Sequence, residues 1–371
     1  QEEYDELQKR IAYLQSILES EALQREIAAE ELQEVKEKYG DERRTDITAA
    51  DGEISMEDLI ANEEVVVTIS HLGYIKRTPV SEYRKQSRGG RGSRGSKTRD
   101  ADFVEHLFVA STHNYLLLFT EAGRCHWLRV YEIPEANKTS SGRVIQNILA
   151  IPKEDRIKAY INIKDLTDED FINNNYIVFC TRKGLIKKTL VEAYSRPRAG
   201  GINAITINEG DQLIEAKLTN GKQEVFIASR SGRAIRFEES KARSMGRTAA
   251  GVRGISLNDD GKDIAVGMVI IDPEETETAI MVLSEKGMGK RTLYSDYRLT
   301  NRGGKGVKNM QITDKTGGVF SIKAVSEDSD LMITTRNGIV IRMAVSDIRV
   351  MGRATQGVRL IRLGEDDEMA D

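Results

Sequence analysis

One pattern recurs six times between residues 62 and 363, and it restricts the chain to folds built from small repeated units. Each copy holds an apolar run, a glycine and a second run, as in VVVTISHLGYIKRT and EVFIASRSGRAIRF. A Ser or Thr lies three positions before each glycine, which predicts a β-hairpin whose turn needs positive φ. We name these six the turn glycines: Gly73, Gly123, Gly184, Gly232, Gly287 and Gly338.

Two further positions recur in each copy. The residue four after the turn glycine is basic in five copies and is Trp127 in the second. Nineteen residues after the turn glycine lies another glycine, except that the third copy has Asn203 beside Gly200 and Gly201.

A single hairpin is marginal in water, so the copies must pack on one another. The sequence predicts a mainly β fold, a six-bladed propeller-like ring of four-stranded blades.

The charge is unevenly distributed along the chain. The whole chain has a net charge of −4, but residues 1–61 carry −11 and the tail 364–371 carries −5. Residues 62–363 hold 48 basic against 36 acidic residues, a net charge of +12. A basic body with acidic ends indicates a polyanion-binding protein, while a merely well-solvated surface is the alternative.

Composition and periodicity divide the chain into four parts. Apolar residues at spacings of three and four predict helix over residues 4–39, ended by Gly40. We expect a helical segment over 1–46, an acidic linker over 47–61, the six-repeat domain over 62–363 and an acidic tail over 364–371. Cys125 and Cys180 lie in apolar runs, which predicts reduced core residues of a cytoplasmic protein. No second ligand pair follows Cys125 and His126 at zinc spacing, so we expect no metal site.

Cations gather around the second glycine of each copy. If equivalent loops of a ring lie along one rim, these cations form one continuous positive track. Apart from residues 86–92 of the first loop, the rim cations predicted to bind the polyanion are Arg94, Lys97, Arg143, Arg196, Arg198, Arg247, Arg253, Arg302, Lys305, Arg353 and Arg359.

The chemistry of these loops favours duplex DNA as the polyanion. They contain no aromatic residue on which unpaired bases could stack, and their arginines and glycine backbone suit phosphate. The first loop, QSRGGRGSRGSKT, matches a glycine-rich nucleotide fingerprint in spacing, but a strand-like run follows it rather than a helix. A nucleotide enzyme and a protein-binding propeller remain alternatives.

The residues Gln86-Ser87-Arg88-Gly89-Gly90-Arg91-Gly92 resemble the gyrase A-box, the seven-residue signature of the DNA gyrase A subunit. Ser87 departs from the arginine of that signature. The six repeats are similar to the β-pinwheel of the gyrase A carboxy-terminal domain, and residues 1–47 resemble the last helices of the preceding DNA cleavage domain.

The resemblance implies a DNA-wrapping domain of a type IIA topoisomerase, which bends duplex DNA around its basic rim during ATP-driven negative supercoiling. It implies DNA contact by the box residues Gln86, Arg88, Gly89, Gly90, Arg91 and Gly92. It also implies a homodimer of gyrase A chains joined by gyrase B chains in a heterotetramer, with ATP and Mg bound elsewhere, and no catalytic residue or cofactor in this segment. The equivalent subunit of topoisomerase IV is the closest alternative.

Overall fold

The computed structural model describes residues 1–41, 56–82, 102, 104–137, 140–152, 154–258, 261–275, 277–335, 340–364 and 367–369. The chain divides into two compact units, residues 1–55 and 56–371. Within the described part, no helix is both long enough and apolar enough to span a membrane.

The first unit consists of two helices, α1 (Glu2–Glu19) and α2 (Glu21–Tyr39). Ser20 separates them with an extended backbone, and its hydroxyl accepts a hydrogen bond from the Leu23 N–H at 3.3 Å, as an N-cap. Helix α2 ends immediately before Gly40, as the sequence predicted. Neither helix has a buried residue within this unit.

The second unit is built almost entirely of short strands, which are numbered here in chain order. Repeats one and two contain β1 (Glu64–Ser70), β2 (Tyr74–Pro79), β3 (Val104–Ser111), β4 (Tyr115–Thr120), β5 (Arg124–Arg129), β6 (Arg143–Val144) and β7 (Ile157–Ile163). Repeats three and four contain β8 (Tyr176–Thr181), β9 (Leu185–Leu190), β10 (Ile202–Asn203), β11 (Leu213–Thr219), β12 (Glu224–Ser229), β13 (Arg233–Glu238), β14 (Val252–Arg253) and β15 (Ala265–Ile271). Repeats five and six contain β16 (Ala279–Ser284), β17 (Met288–Leu293), β18 (Val307–Lys308), β19 (Val319–Val325), β20 (Asp330–Thr334), β21 (Val340–Ala344) and β22 (Val358–Arg359).

Short helices complete the unit. A 3₁₀ turn follows the second long strand of every repeat, and α3 (Glu169–Asn174) precedes β8. The 3₁₀ turns are Met56–Leu59, Val80–Glu82, Val130–Glu132, Ile145–Asn147, Val191–Tyr194, Glu239–Lys241, Tyr294–Asp296 and Val345–Asp347.

Each repeat from the second to the sixth contributes one strand to the sheet of the repeat before it. Three long strands of one repeat form most of a sheet, and its fourth strand is a two-residue segment of the following repeat. The sheets are β3-β1-β2-β6, β10-β5-β4-β7, β11-β8-β9-β14, β15-β12-β13-β18 and β19-β16-β17-β22. We name β6, β10, β14, β18 and β22 the rim strands.

The prediction of six equal blades is therefore wrong in one respect, because the structure shows five four-stranded blades. The sixth repeat forms the two-stranded sheet β20-β21 within the described residues. Beside this sheet, the described residues show one further antiparallel bridge, between Thr335 and Met369. The rim strand of a sixth blade would have to come from another repeat, and the equivalent segment of the first repeat lies outside the described residues.

The hairpin turns form as the sequence predicted. The five described turn glycines, Gly73 to Gly287, have φ between 73° and 82°. The Ser or Thr three residues earlier accepts a hydrogen bond from the residue after the glycine in four repeats, as from the Tyr74 N–H to Ser70 Oγ at 3.0 Å. This side-chain acceptor explains why the position is Ser or Thr in every repeat.

Successive blades share apolar cores because the middle strands are buried on both faces. In β4, Leu116 and Leu118 pack toward the first blade, whereas Leu117 and Phe119 pack toward the third. Five such clusters join the six repeats in order. Cys125 and Cys180 are free and buried in two of them, as predicted, and burial raises the pKa of both thiols.

The recurrent cation four residues after the turn glycine is a structural donor. It donates to a main-chain oxygen of the next repeat's 3₁₀ turn, as from Arg77 Nε to the Ile133 oxygen at 2.8 Å and Arg236 Nη1 to the Tyr297 oxygen at 2.8 Å. Trp127, the exception in sequence, makes the same contact through Nε1 to the Tyr194 oxygen at 2.9 Å. The position therefore requires an N–H donor rather than a charge.

Three lysines are buried one residue earlier in the same strands. Lys76, Lys187 and Lys290 have at most 1% of their surface exposed. Burial, with the nearby Arg247 guanidinium, lowers the pKa of Lys187 to about 7. Burial and Arg353 lower the pKa of Lys290 to about 8. These lysines bind protons more weakly in the folded chain than in the unfolded one.

We predict that the free energy of unfolding rises with pH between about 7 and 10. In that window the unfolded chain, whose lysines keep a pKa near 10.5, binds more protons than the folded chain. The free energy of unfolding, measured with urea at several pH values in this range, should rise less steeply with pH in Lys187→Met/Lys290→Met than in the parent. Substitution of the exposed Lys183 by Met should leave this pH dependence unchanged. If the free energies of unfolding of the double variant and the parent differed by the same amount at every pH, the prediction would be contradicted.

Candidate nucleic-acid interface

The rim strands are attached to the hairpins by the turn glycines. The Gly184 oxygen accepts hydrogen bonds from the Gly254 and Ile255 N–H groups of the next repeat, at 2.8 and 3.2 Å. The Gly123, Gly232 and Gly287 oxygens each accept two such bonds in the same way, and the Gly73 oxygen accepts one from Ile145. The same glycine thus makes the turn and holds the rim of the following repeat.

A second glycine immediately precedes each rim strand, and we name this set the rim glycines: Gly142, Gly201, Gly251, Gly306 and Gly357. All five have positive φ, between 67° and 99°. A Cβ on any of them would press on the main-chain oxygen two residues after the turn glycine, as from Gly201 to the Cys125 oxygen at 2.8 Å. In the third repeat the structural equivalent is therefore Gly201, not Asn203, because its loop is two residues shorter.

The structure places the described rim cations at the predicted edge of the blades. Arg143, Arg253 and Arg359 lie on rim strands themselves, and all are exposed. Arg196, Arg198 and Lys305 are exposed in the loops before the rim strands, whereas Arg247, Arg302 and Arg353 are half-buried there. The predicted residues Gln86, Arg88, Gly89, Gly90, Arg91, Gly92, Arg94 and Lys97 lie outside the described residues.

Two of the half-buried arginines, Arg302 and Arg353, link one rim loop to the preceding repeat. Arg302 Nη1 donates to the Arg253 oxygen at 3.1 Å, and its Nε donates to the Lys241 oxygen at 2.9 Å. In the next repeat Arg353 Nη1 donates to the Lys308 oxygen at 3.3 Å. Arg302 and Arg353 each lie four residues before a rim glycine, so the same link occurs in repeats five and six.

Backbone hydrogen bonds join the same loops. The Thr206 N–H donates to the Ala249 oxygen at 3.2 Å, and the Ser256 N–H donates to the Gly304 oxygen at 2.9 Å. The Gln311 N–H donates to the Thr355 oxygen at 3.1 Å. Each donor lies five residues after a rim glycine and each acceptor lies two before the next one. The loops of repeats three to six are therefore one hydrogen-bonded chain.

Three rim cations were missed from the sequence: Lys308, Arg124 and Arg233. Lys308 is exposed and stands at the position of Arg253 and Arg359, the second residue of the rim strand. Arg124 Nη2 donates to the Gly200 oxygen at 2.9 Å, and Arg233 Nη1 to the Gly306 oxygen at 3.4 Å. Aligning the residue directly after each turn glycine would have found Arg124 and Arg233.

We predict that Gly251→Ala destabilises the domain by at least about 1–2 kcal/mol, the cost of a Cβ at φ 99°. The new methyl group would also press on the Ile186 main-chain oxygen. The control is Gly246→Ala in the same loop, because nothing lies within 4 Å of a Cβ at that position. Urea unfolding should show little change for Gly246→Ala, and equal effects of the two variants would contradict the prediction.

Comparison with known proteins relates this architecture to one family. The family model described as DNA gyrase C-terminal domain, beta-propeller, matches residues 64–111, 114–159, 175–220, 223–272, 278–326 and 329–371. The DNA gyrase A subunit of Staphylococcus epidermidis is 44% identical over 98% of this chain and 40% of that protein. The chain thus spans about two-fifths of the length of such relatives.

Two solved structures share the fold. The C-terminal domain of DNA topoisomerase IV superposes with a TM-score of 0.69 at 27% identity, covering 84% of this chain and 92% of that one. A DNA gyrase A C-terminal domain superposes with a TM-score of 0.66 at 24% identity, covering 83% and 98%. The match of all six repeats to the family model shows that the chain belongs to the DNA gyrase C-terminal β-propeller family.

Proposed function

We propose that this chain binds duplex DNA along its rim and bends it, as the DNA-wrapping part of a gyrase. The observation that carries the proposal is the series of exposed cations on rim strands, with Arg253, Lys308 and Arg359 at one equivalent position in three successive repeats. The loops that carry them are hydrogen-bonded to one another. A row of cations on a linked support suits the phosphates of a bent duplex.

The rim offers phosphate contacts and little base recognition. Its cations stand on a two-residue strand at a blade edge, and rim glycine backbone lies beside them. Guanidinium and ammonium groups without aromatic neighbours bind phosphate irrespective of sequence. Smooth bending of a few tens of base pairs costs several kcal/mol, which several phosphate contacts with counterion release can offset.

The box Gln86–Gly92 enters this proposal through its sequence resemblance alone. In it, Arg88 and Arg91 hold phosphate, Gly89, Gly90 and Gly92 shape the loop, and Gln86 has a structural role. Arg94 and Lys97 extend the same contact. In the full protein we propose a homodimer of gyrase A chains, assembled with gyrase B chains in the cytoplasm, where ATP-driven strand passage converts the wrapped DNA into negative supercoils.

We predict a positive change in linking number when the chain is added to nicked plasmid that is then sealed with ligase. Wrapping of right-handed sense constrains positive writhe, and the altered linking number remains after the protein is removed. The shift should disappear at high salt and in Arg88→Ala/Arg91→Ala, whose folding is checked by urea unfolding. Binding without any shift would instead favour the topoisomerase IV subunit, which the structural similarity keeps as a second candidate. Absence of binding would overturn both.

We predict that the Arg253→Ala/Lys308→Ala/Arg359→Ala variant lowers the salt dependence of DNA binding. Each phosphate contact contributes about 0.9 to the slope of log affinity against log salt concentration, so the slope should fall by roughly 2 to 3. Lys164→Ala/Lys222→Ala is the control, because both lysines are exposed at the strand ends opposite the hairpin turns. A slope unchanged in the triple variant would contradict phosphate binding by the rim strands.

A further inference from the structure

One position of the repeat lies directly beneath the rim loop of the next repeat. It is the third residue after the turn glycine, and it is Lys76, His126, Lys187, Ile235 or Lys290 in the five four-stranded blades. All five side chains are buried. The three lysines point their ammonium groups at the neighbouring loop, and neither DNA phosphate contact nor the apolar core requires a lysine there.

Each buried lysine bonds to main-chain oxygens of the loop above it. Lys290 Nζ donates to the Gly352 and Arg353 oxygens at 3.0 and 2.6 Å. Lys187 Nζ donates to the Arg247 oxygen at 2.5 Å and also to the Ala204 oxygen. Arg247 and Arg353 each lie four residues before a rim glycine. The lysine therefore holds the backbone of the residue whose guanidinium lies at the rim.

Lys76 follows the same rule in the first blade. Its Nζ donates to the Asn137 and Ser140 oxygens at 3.2 and 2.9 Å, both in the loop before Gly142. Three repeats thus share a buried donor beneath an inward-facing loop oxygen. Loss of the donor would leave these main-chain oxygens without that partner, so the lysine stabilises this conformation of the loop.

The fourth repeat has Ile235 at this position and a different loop above it. That loop contains Gly303 and Gly304, and a Cβ on Gly304 would lie 3.7 Å from the Ile235 Cδ1 atom. Backbone groups hold it instead, with the Gly303 N–H donating to the Gly254 oxygen at 2.6 Å. In this repeat a hydrogen bond to the backbone of the preceding repeat and the Arg302 guanidinium hold the loop, and no lysine lies beneath it.

We infer that Lys187 and Lys290, with Lys76 in the first blade, are positioning residues that strengthen DNA binding by fixing the rim loops. They touch no DNA themselves, and Lys187 and Lys290 act through Arg247 and Arg353. The inference rests on the proposed function, because it assumes that the rim binds DNA. It adds a second set of hydrogen-bond donors, buried and directed at the loop backbone, to the exposed cations of the rim.

The surroundings of Lys187 agree with an anchoring role. The Phe179 ring lies 5.6 Å from the ammonium group, and the Tyr194 hydroxyl donates to the Ala204 oxygen at 3.1 Å. The Ala204 N–H in turn donates to the turn-glycine oxygen of Gly123. The ammonium group therefore joins two successive rim segments, since Ala204 follows one rim strand and Arg247 precedes the next.

The test is a double-mutant cycle of Lys187→Met and Arg247→Ala in the whole 371-residue chain. Affinity is measured by titration with a linear duplex of about 150 base pairs, one persistence length. We expect Lys187→Met to weaken binding on the order of fivefold in the parent and not at all in Arg247→Ala, the signature of coupled residues. The exposed Lys183→Met should change affinity by the same factor in both backgrounds.

Amide hydrogen exchange of residues 244–252 gives a second readout that needs no DNA. Exchange there should speed up in Lys187→Met and not in Lys183→Met. If Lys187→Met does not fold, the cycle is made with Lys290→Met and Arg353→Ala, or with Lys187→Ile, the side chain that the fourth repeat uses. Additive effects, or unchanged loop exchange, overturn the positioning role while DNA binding by the parent stands. A parent chain that does not bind the duplex overturns the proposed function itself.

Discussion

The structure depends on the pairing between each hairpin and the rim strand of the following repeat. Turn-glycine oxygens such as that of Gly184 accept N–H groups from the next repeat, and the rim strand completes the sheet. A net contribution of about 1 kcal/mol from each such hydrogen bond is modest. Its recurrence at every described junction nevertheless makes each blade incomplete without its neighbour. Because each rim strand lies at the edge of the preceding blade, the cation-bearing loops also lie at the blade edges in consecutive order.

Recurrent cations serve three physically distinct purposes in this fold. Those four residues after the turn glycine secure the 3₁₀ turn of the next repeat, and Trp127 shows that only the N–H donor matters there. Those three residues after it are buried beneath the rim loops, as at Lys187 and Lys290. The exposed cations on the rim strands and in the loops are the ones available to phosphate. The net charge of +12 over residues 62–363 therefore overstates the charge that faces a ligand.

The proposed bending of duplex DNA depends on the hydrogen bonds that link the rim loops. DNA that is wrapped as proposed resists bending, so the support of the rim cations must not yield. Arg302 and Arg353 tie successive loops together, and the donors Thr206, Ser256 and Gln311 do so through backbone. Cations on independent mobile loops would follow the straight duplex instead. In the proposed function, bending therefore depends on a rigid support as well as on the number of charges.

The sequence by itself determined the repeat, the hairpins, the buried cysteines and the edge on which the cations lie. These follow from local rules: a turn needs glycine and a hydroxyl acceptor, and strands buried on both faces need continuous apolar runs. Only the tertiary structure decided that the fourth strand comes from the next repeat, that five four-stranded blades are complete among the described residues, and that Gly201 replaces Asn203. It also revealed Asp102, Asp155, Asp211 and Asp263, which accept N–H groups from the hairpin turns at sequence separations that vary from repeat to repeat. Such contacts join residues far apart along the chain, and a fixed spacing cannot reveal a partner whose distance in sequence changes with loop length.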